Sequence, residues 1–149
     1  NVRGDRVVQY DRRNRALRDD AGVREKFGVG PASIPDYLAL VGDSADGFPG
    51  LAGWGEKSAA TLLARYEHLE AIPKDESTWE VSVRGAAKLG AALRDHFDDA
   101  LLFRTLATLR TDAKVFDDVD ELLWRGPTKD FAPLCERLGV PELAEKWLR

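Results

Sequence analysis

A pair of glycines directly before an amphipathic segment constrains this chain more than any other feature. Gly53 and Gly55 lie on either side of Trp54, and the segment that opens at Glu56 carries apolar residues at helical spacing, namely Ala59, Leu62, Leu63 and Tyr66. Glycine has no Cβ atom, so the backbone can turn sharply there and approach another molecule closely. A second segment with helical spacing, starting at Ile34, precedes the glycines. The pattern therefore predicts two helices joined by a tight turn, which is a helix-hairpin-helix.

The rest of the chain predicts a mainly α-helical lobe with a short β-hairpin, or two short strands, near the N-terminus. Arg6–Tyr10 is a β-like run, and Asp11–Asn14 offers a turn after it. Ser33 to Asp36 has the composition of a capping-box variant at the start of a helix. Further helical spacing follows the hairpin, and one of these helices is expected to bury a face lined by Leu102, Leu106 and Leu109.

Size and composition limit the classes of protein to consider. At 149 residues with 44% hydrophobic residues, the chain can build one domain or one lobe of a larger protein. It begins with Asn1 and contains no methionine, so we expect a piece of a longer protein. No apolar run is long enough to span a membrane. The lone cysteine, Cys135, cannot form an internal disulfide, which favours a cytoplasmic location.

The hairpin has a chemistry of its own. The first backbone N–H groups of the second helix, at Glu56, Lys57 and Ser58, have no partners within the helix and can bind an anion such as a phosphodiester, with Lys57 adding a charge. Trp54 either stacks on a base or fills the space between the helices. The net charge of −4 argues against a protein that coats DNA by charge alone, although a few backbone contacts remain compatible with it. A plain helix-helix turn is the simpler alternative.

Two carboxylates precede the hairpin, at Asp43 and Asp46. Aspartates in a glycine-rich loop are commonly turn formers, but next to a phosphate-binding element they can instead hold a divalent metal. An EF-hand is excluded because the later ligand positions are missing. A nucleotide-binding P-loop is excluded because Glu56 stands where that motif needs lysine. The two histidines lack the neighbours that a zinc site needs.

Taken together, these residues resemble a known family. Gly42 to Gly50 reads Gly-Asp-Ser-Ala-Asp-Gly-Phe-Pro-Gly, and Leu51 to Ala60 reads Leu-Ala-Gly-Trp-Gly-Glu-Lys-Ser-Ala-Ala. Both resemble the signature of the 5′-3′ exonuclease and flap endonuclease family, which includes the 5′-nuclease domain of bacterial DNA polymerase I. Gly47 stands where the family usually has Asn, and Ser58 where it usually has Thr. The likeness extends over most of the chain.

The resemblance implies a two-metal nuclease that acts in DNA replication and repair, of which this chain is the C-terminal lobe. Asp43 and Asp46 would bind one of two Mg²⁺ or Mn²⁺ ions, whose other ligands lie in an N-terminal catalytic half outside this chain. The chain alone would then be inactive. The hairpin residues 53–58 would bind duplex DNA at a 5′ flap or 5′ end without regard to sequence. A K⁺ ion would be held there by backbone carbonyls, with those of Leu51 and Trp54 as candidates.

The resemblance also suggests an organisation and a location. Residues 1–30 would complete the catalytic half, residues 31–112 would form the DNA-binding lobe, and residues 113–149 would form a helical tail packed on it. The protein would act in the cytoplasm, at the nucleoid. Two other interpretations stay open: a non-catalytic helix-hairpin-helix DNA-binding module, and a helical protein-interaction domain, which leaves the glycine motif unexplained.

Overall fold

The computed structural model describes residues 2, 4 and 6–147 of the chain. Their regular elements are two short strands and seven helices, with short 3-10 turns between them. The elements in chain order are β1 (Gln9–Asp11), β2 (Ala16–Arg18), α1 (Asp20–Phe27), α2 (Ile34–Val41), α3 (Glu56–Tyr66), α4 (Ala86–Asp95), α5 (Phe97–Ala107), α6 (Phe131–Arg137) and α7 (Pro141–Trp147). The predicted mainly α fold with a small β element is confirmed. The chain divides into two compact units, Asn1–Arg110 and Thr111–Arg149.

The β-hairpin forms where the sequence predicts it. Strands β1 and β2 pair antiparallel, with Tyr10 opposite Leu17. Asp11 shapes the turn, because its Oδ1 atom accepts hydrogen bonds from the backbone N–H groups of Arg13 and Asn14, both at 3.0 Å. Helix α1 follows at once and ends at Gly28, whose φ of 73° is the left-handed conformation that glycine favours at a helix end.

The core of the first unit lies between helices α2, α3, α4 and α5. Leu40, Leu62 and Leu69 are completely buried there. Helix α2 packs against both α3 and α5, so it is the central element of the lobe. Burial of apolar surface from all four helices is the main stabilising contribution, and it fixes the segment between α2 and α3 that carries the candidate site residues.

The predicted buried face of α5 is wrong. Leu102, Leu106 and Leu109 are all more than half exposed, and Leu109 lies beyond the end of the helix. The helix instead buries Ala100 completely and packs Leu101 and Phe103 against the core. Both sides of α5 carry apolar residues at helical spacing. Because alanine has a small side chain, it allows α2 and α5 to approach closely, and this favours the observed side.

The predicted capping box at Ser33 is also wrong. Ser33 makes no side-chain cap, and Asp36 has a different role inside the core. The Asp36 carboxylate is 2% exposed and accepts hydrogen bonds from Arg104 on α5 at 3.0 Å and from the backbone N–H of Leu69 at 3.3 Å. His68 Nδ1 lies 3.0 Å from its other oxygen. Asp36 therefore joins α2, the turn at residues 69–71 and α5 through polar contacts.

Arg104 continues this network to the surface. Its guanidinium also forms a two-pronged pair with Glu70, with N–O distances of 2.7 and 2.6 Å. The hydrogen bonds from Arg104 hold the pKa of the Glu70 carboxyl below its usual value. Arg104 is thus shared between one buried carboxylate and one exposed carboxylate.

We expect Arg104→Met to lower the free energy of unfolding by about 2 kcal/mol. The substitution removes a partner from a buried charge, and the remaining partners, His68 and the Leu69 N–H, offset part of the penalty. Arg65→Met is the matched control, since Arg65 pairs with Glu80 and both side chains are about half exposed. That control should cost at most about 1 kcal/mol. Urea unfolding of the two variants measures the difference, and equal losses would contradict the role assigned to Asp36.

The second unit is small and open. Helices α6 and α7 pack on each other and bury Cys135 and Ala144. Within the part of the chain that the structure describes, no helix is both long and apolar enough to span a membrane.

Candidate nucleic-acid interface and acid loop

The segment from Gly42 to Gly50, which we call the acid loop, closes on itself at its base. Gly42 has a φ of 90° and Gly50 a φ of 71°, both in the left-handed region. A Cβ atom on Gly42 would lie 2.5 Å from the Pro49 carbonyl carbon, and one on Gly50 would lie 2.7 Å from the Leu40 carbonyl oxygen. Only glycine fits at these two positions, because the two ends of the loop are in backbone contact.

Hydrogen bonds and an aromatic contact complete the closure. The Asp43 N–H donates to the Phe48 carbonyl at 2.9 Å, and the Leu51 N–H donates to the Leu40 carbonyl at 2.9 Å. Phe48 is buried and stacks on Phe103 of α5, with ring centroids 5.9 Å apart and planes inclined by 18°. The acid loop is therefore anchored to the helical core, and its apex is exposed.

The two predicted site carboxylates lie on this loop in different settings. Asp43 Oδ1 accepts hydrogen bonds from the N–H groups of Ala45 at 3.0 Å and Asp46 at 3.3 Å, which is an Asx turn. No hydrogen bond occupies its Oδ2, and the Asp46 carboxylate is exposed and likewise unengaged within residues 2, 4 and 6–147. Asp43 is thus a turn former and still has one oxygen available to a cation.

The chain offers these two carboxylates but no complete metal site. Among the described residues, no three side chains of His, Cys, Asp or Glu are grouped so that they could hold a metal ion. Hard divalent cations take six or more oxygen ligands, of which water supplies several. The donor set at Asp43 and Asp46 therefore fits a partial contribution to a cation site.

The hairpin glycines differ from each other in conformation. Gly53 has a φ of 85°, which makes the sharp turn. Gly55 has φ −142° and ψ 169°, which is ordinary extended backbone, and it is the N-cap of α3. The first helical hydrogen bond runs from the Ala59 N–H to the Gly55 carbonyl at 3.0 Å. The N–H groups of Glu56, Lys57 and Ser58 consequently lie before the first intrahelical bond, as predicted.

The side chains of Glu56, Lys57 and Ser58 surround the backbone N–H groups at the start of α3. The Ser58 hydroxyl accepts a hydrogen bond from the Gly55 N–H at 3.2 Å and donates one to the Gly55 carbonyl at 3.0 Å, which fixes the first turn. Glu56 and Lys57 are exposed. The Leu51 carbonyl accepts the Trp54 N–H at 3.1 Å and retains a second lone pair.

Trp54 fills space between helices, which is one of its two predicted roles. Its side chain is 7% exposed, and its indole Nε1–H donates to the Leu89 carbonyl of α4 at 3.2 Å. The ring cannot stack on a base from this position, so the possibility of base stacking is wrong.

Sequence reasoning missed two residues that the structure brings to these loops. Phe103 packs on the acid loop, and nothing in the local pattern indicated which loop it would contact. Lys88 of α4 extends over the hairpin: a Cβ atom on Gly53 would lie 3.7 Å from its Cε atom. The signal available for Lys88 was its position in the first turn of a helix, where a cation opposes the helix dipole.

Comparison with known proteins identifies a family that this chain matches. Residues 29–130, more than half of the chain, match the family described as 5′-3′ exonuclease, C-terminal SAM fold. DNA polymerase I of Pseudomonas aeruginosa is 39% identical over 120 residues, which make up 75% of this chain and 12% of that protein. DNA polymerase I of Bacillus subtilis is 38% identical over 127 residues, 78% of this chain and 14% of that protein.

A shorter relative shares the same region. Flap endonuclease Xni of Pectobacterium carotovorum is 36% identical over 107 residues, which cover 67% of this chain and 36% of that protein. The chain therefore spans about an eighth of the length of the polymerase relatives and about a third of the flap endonuclease.

Proposed function

Because this chain belongs to the 5′-3′ exonuclease family and carries its C-terminal SAM fold, we propose that it is the DNA-binding lobe of a 5′-3′ exonuclease or flap endonuclease. The whole enzyme acts in DNA replication and repair, in the cytoplasm at the nucleoid. The observation that carries this proposal is the start of α3, where three backbone N–H groups lie before the first intrahelical hydrogen bond, next to the exposed Lys57 and after the sharp turn at Gly53.

The hairpin binds the phosphate backbone of duplex DNA next to a 5′ flap or a 5′ end. The N–H groups of residues 56–58 donate to a phosphate, and the positive end of the helix dipole adds to the attraction. Glu56 contributes its backbone N–H only, because its exposed carboxylate repels phosphate. Contacts of this kind read no base edges, so binding is independent of sequence.

The acid loop serves the chemistry. Asp43 and Asp46 hold one of two Mg²⁺ or Mn²⁺ ions together with carboxylates from an N-terminal catalytic half of the same protein, to which residues 1–30 also contribute. When bound, such ions activate water and stabilise the leaving oxygen in phosphodiester hydrolysis. The role of this chain is to present the free oxygen of Asp43, at the base of an anchored loop, and the Asp46 carboxylate at the exposed apex of that loop. The lobe alone is inactive.

A monovalent cation adds to the DNA contact. The carbonyls of Leu51 and Trp54 are the candidate K⁺ ligands, and the Leu51 carbonyl, which accepts the Trp54 N–H at 3.1 Å, keeps a second lone pair for the ion. In this arrangement the lobe has two partners, with DNA on one side and the catalytic half on the other.

Gly55→Val tests the hairpin contact. A Cβ atom on Gly55 has no protein atom within 4 Å, and the backbone there is extended, so the fold accepts valine. The branched side chain instead blocks the close approach of a phosphate. We expect duplex affinity to fall about tenfold, equally for different sequences, while the free energy of unfolding changes by about 1 kcal/mol or less.

The measurement is fluorescence anisotropy of labelled 5′-flap duplexes of two unrelated sequences, with the unfolding of the variant followed by circular dichroism. Ala64→Val, at an exposed position of α3 away from the helix start, controls for the addition of a valine. A folded Gly55→Val chain that binds both duplexes as tightly as the unmodified chain would refute the role of the hairpin.

A further inference from the structure

A second cation lies at the hairpin, and it comes from a helix that the motif does not include. Lys88 is the third residue of α4, and its side chain extends toward Gly53, where a Cβ atom would lie 3.7 Å from Lys88 Cε. Its neighbour Leu89 approaches the same position, with Cδ2 3.9 Å away. The Lys88 side chain therefore lies against the turn at Gly53, and its ammonium group is at the surface of the hairpin.

The position of Lys88 relative to the hairpin is fixed by a buried contact. Trp54, between the two glycines, is 7% exposed and donates its indole N–H to the carbonyl of Leu89, the residue after Lys88. Helix α4 therefore cannot shift along the hairpin without breaking a buried hydrogen bond. The aliphatic part of the Lys88 side chain therefore keeps its position relative to the turn, and only the terminal bonds of the side chain can rotate to reach a ligand.

In the protein without a ligand, the positive charge of Lys88 lies in an electrostatically unfavourable position. The first turn of α4 contains no acidic residue, and its N-cap, Gly85, makes no side-chain cap. A cation in that turn opposes the positive end of the helix dipole by about 0.3–1 kcal/mol. Within the described part of the chain, Lys88 forms no ion pair with a carboxylate. No ion pair among the described residues compensates this charge, whereas a bound anion would.

We propose that Lys88 binds a second phosphate of the duplex held by the hairpin, next to the phosphate at the N-terminus of α3. The inference rests on the proposed DNA binding and extends it to a residue outside the hairpin motif. Arg84, the residue before the N-cap of α4, is also exposed and adds a positive charge near that helix start. The interface then runs from Lys57 on α3 to Lys88 on α4.

The test compares the salt dependence of binding in lysine variants of the full chain. Lys88→Ala should lower the affinity for a 5′-flap duplex about 3- to 10-fold near 0.1 M salt and reduce the steepness of the log–log salt slope by about 1, because one phosphate contact is lost. Lys88→Arg should keep the slope. Lys57→Ala should reduce the slope by a similar amount, and the double variant by about 2, because the two lysines contact separate phosphates.

Lys74→Ala is the matched control. Lys74 is exposed and carries the same charge, but its carbonyl accepts a hydrogen bond from Arg94 at the opposite end of α4. It should leave the slope unchanged. Lys88→Ala should not destabilise the fold, since alanine is the better helix former and the dipole penalty disappears; a loss of stability would point to a structural role and overturn the proposal.

The outcomes separate the two proposals. If the unmodified chain binds duplex and Gly55→Val weakens it, but Lys88→Ala matches Lys74→Ala in slope, the Lys88 contact is wrong and the hairpin contact stands. If the double variant loses no more than Lys57→Ala alone, Lys88 does not contact a second phosphate. Absence of duplex binding by the unmodified chain at low salt would overturn both proposals.

Discussion

Asp43→Asn and Asp46→Asn should each lower the turnover of the whole enzyme on a 5′-flap duplex by about 100-fold or more. Loss of groups that only support a metal ligand commonly costs 10- to 100-fold, and a ligand should cost at least as much. Duplex affinity should stay the same or rise, because each substitution removes a negative charge near the phosphates. We therefore expect turnover to fall without a matching fall in duplex affinity.

The structure makes asparagine the informative substitution at Asp43. The Asp43 Oδ1 atom accepts the N–H groups of Ala45 and Asp46, and an asparagine oxygen can accept the same two bonds. The loop is kept while the charge is lost. Ser44→Ala, between the two aspartates, is the control and should cut normally. If both asparagine variants also cut normally, the aspartates are only turn formers, and a non-catalytic DNA-binding module becomes the better interpretation.

Gly50→Ala should lower the free energy of unfolding by about 3 kcal/mol. The left-handed backbone at Gly50, with φ 71°, costs an alanine about 1–2 kcal/mol by itself. The new Cβ atom would also lie 2.5 Å from the Val41 carbonyl carbon and 2.7 Å from the Leu40 carbonyl oxygen. These are backbone atoms that cannot rotate away, so the base of the acid loop must open, with a further penalty of about 1–3 kcal/mol.

Gly47→Ala isolates the first of these effects, the cost of the left-handed backbone. Gly47 has a similar φ of 86°, but a Cβ atom there meets nothing within 4 Å. It should lose only the conformational part, about 1–2 kcal/mol. Urea unfolding of the two variants side by side gives the difference, and equal losses would show that the backbone contact between Gly42 and Gly50 contributes no stability.

Sequence reasoning succeeded where local chemistry decides the structure. The two glycines and the helical spacing after Glu56 predicted α3 and its exposed N–H groups, because the conformational freedom of glycine and helix periodicity are properties of a few adjacent residues. The turn at Asp11 and the helix end at Gly28 follow from similarly short-range preferences.

Sequence reasoning failed where contacts between residues far apart in the sequence decide the structure. Asp36 looked like part of a local cap, but its partner Arg104 lies 68 residues away. Periodicity identified α5 as an apolar helix without showing which apolar side α2 would cover, and the side with Ala100 allowed the closer approach. The position of Lys88 over Gly53 depends on Trp54 inserting against α4, 35 residues further along the chain. Such pairings are set by packing, not by local pattern.

The closed base of the acid loop also bears on how this site can vary among proteins that share it. The ends of the loop, at Gly42 and Gly50, are in backbone contact, and Phe48 anchors one flank to α5. The residues of the apex, 44–47, are exposed. Side chains at the apex can therefore be exchanged without repacking the lobe, whereas an inserted or deleted residue would break the bond from the Asp43 N–H to the Phe48 carbonyl. We expect related loops to vary at Ser44 and Ala45 while keeping Asp46 and the same length, so that the surroundings of the ion can change independently of the fold.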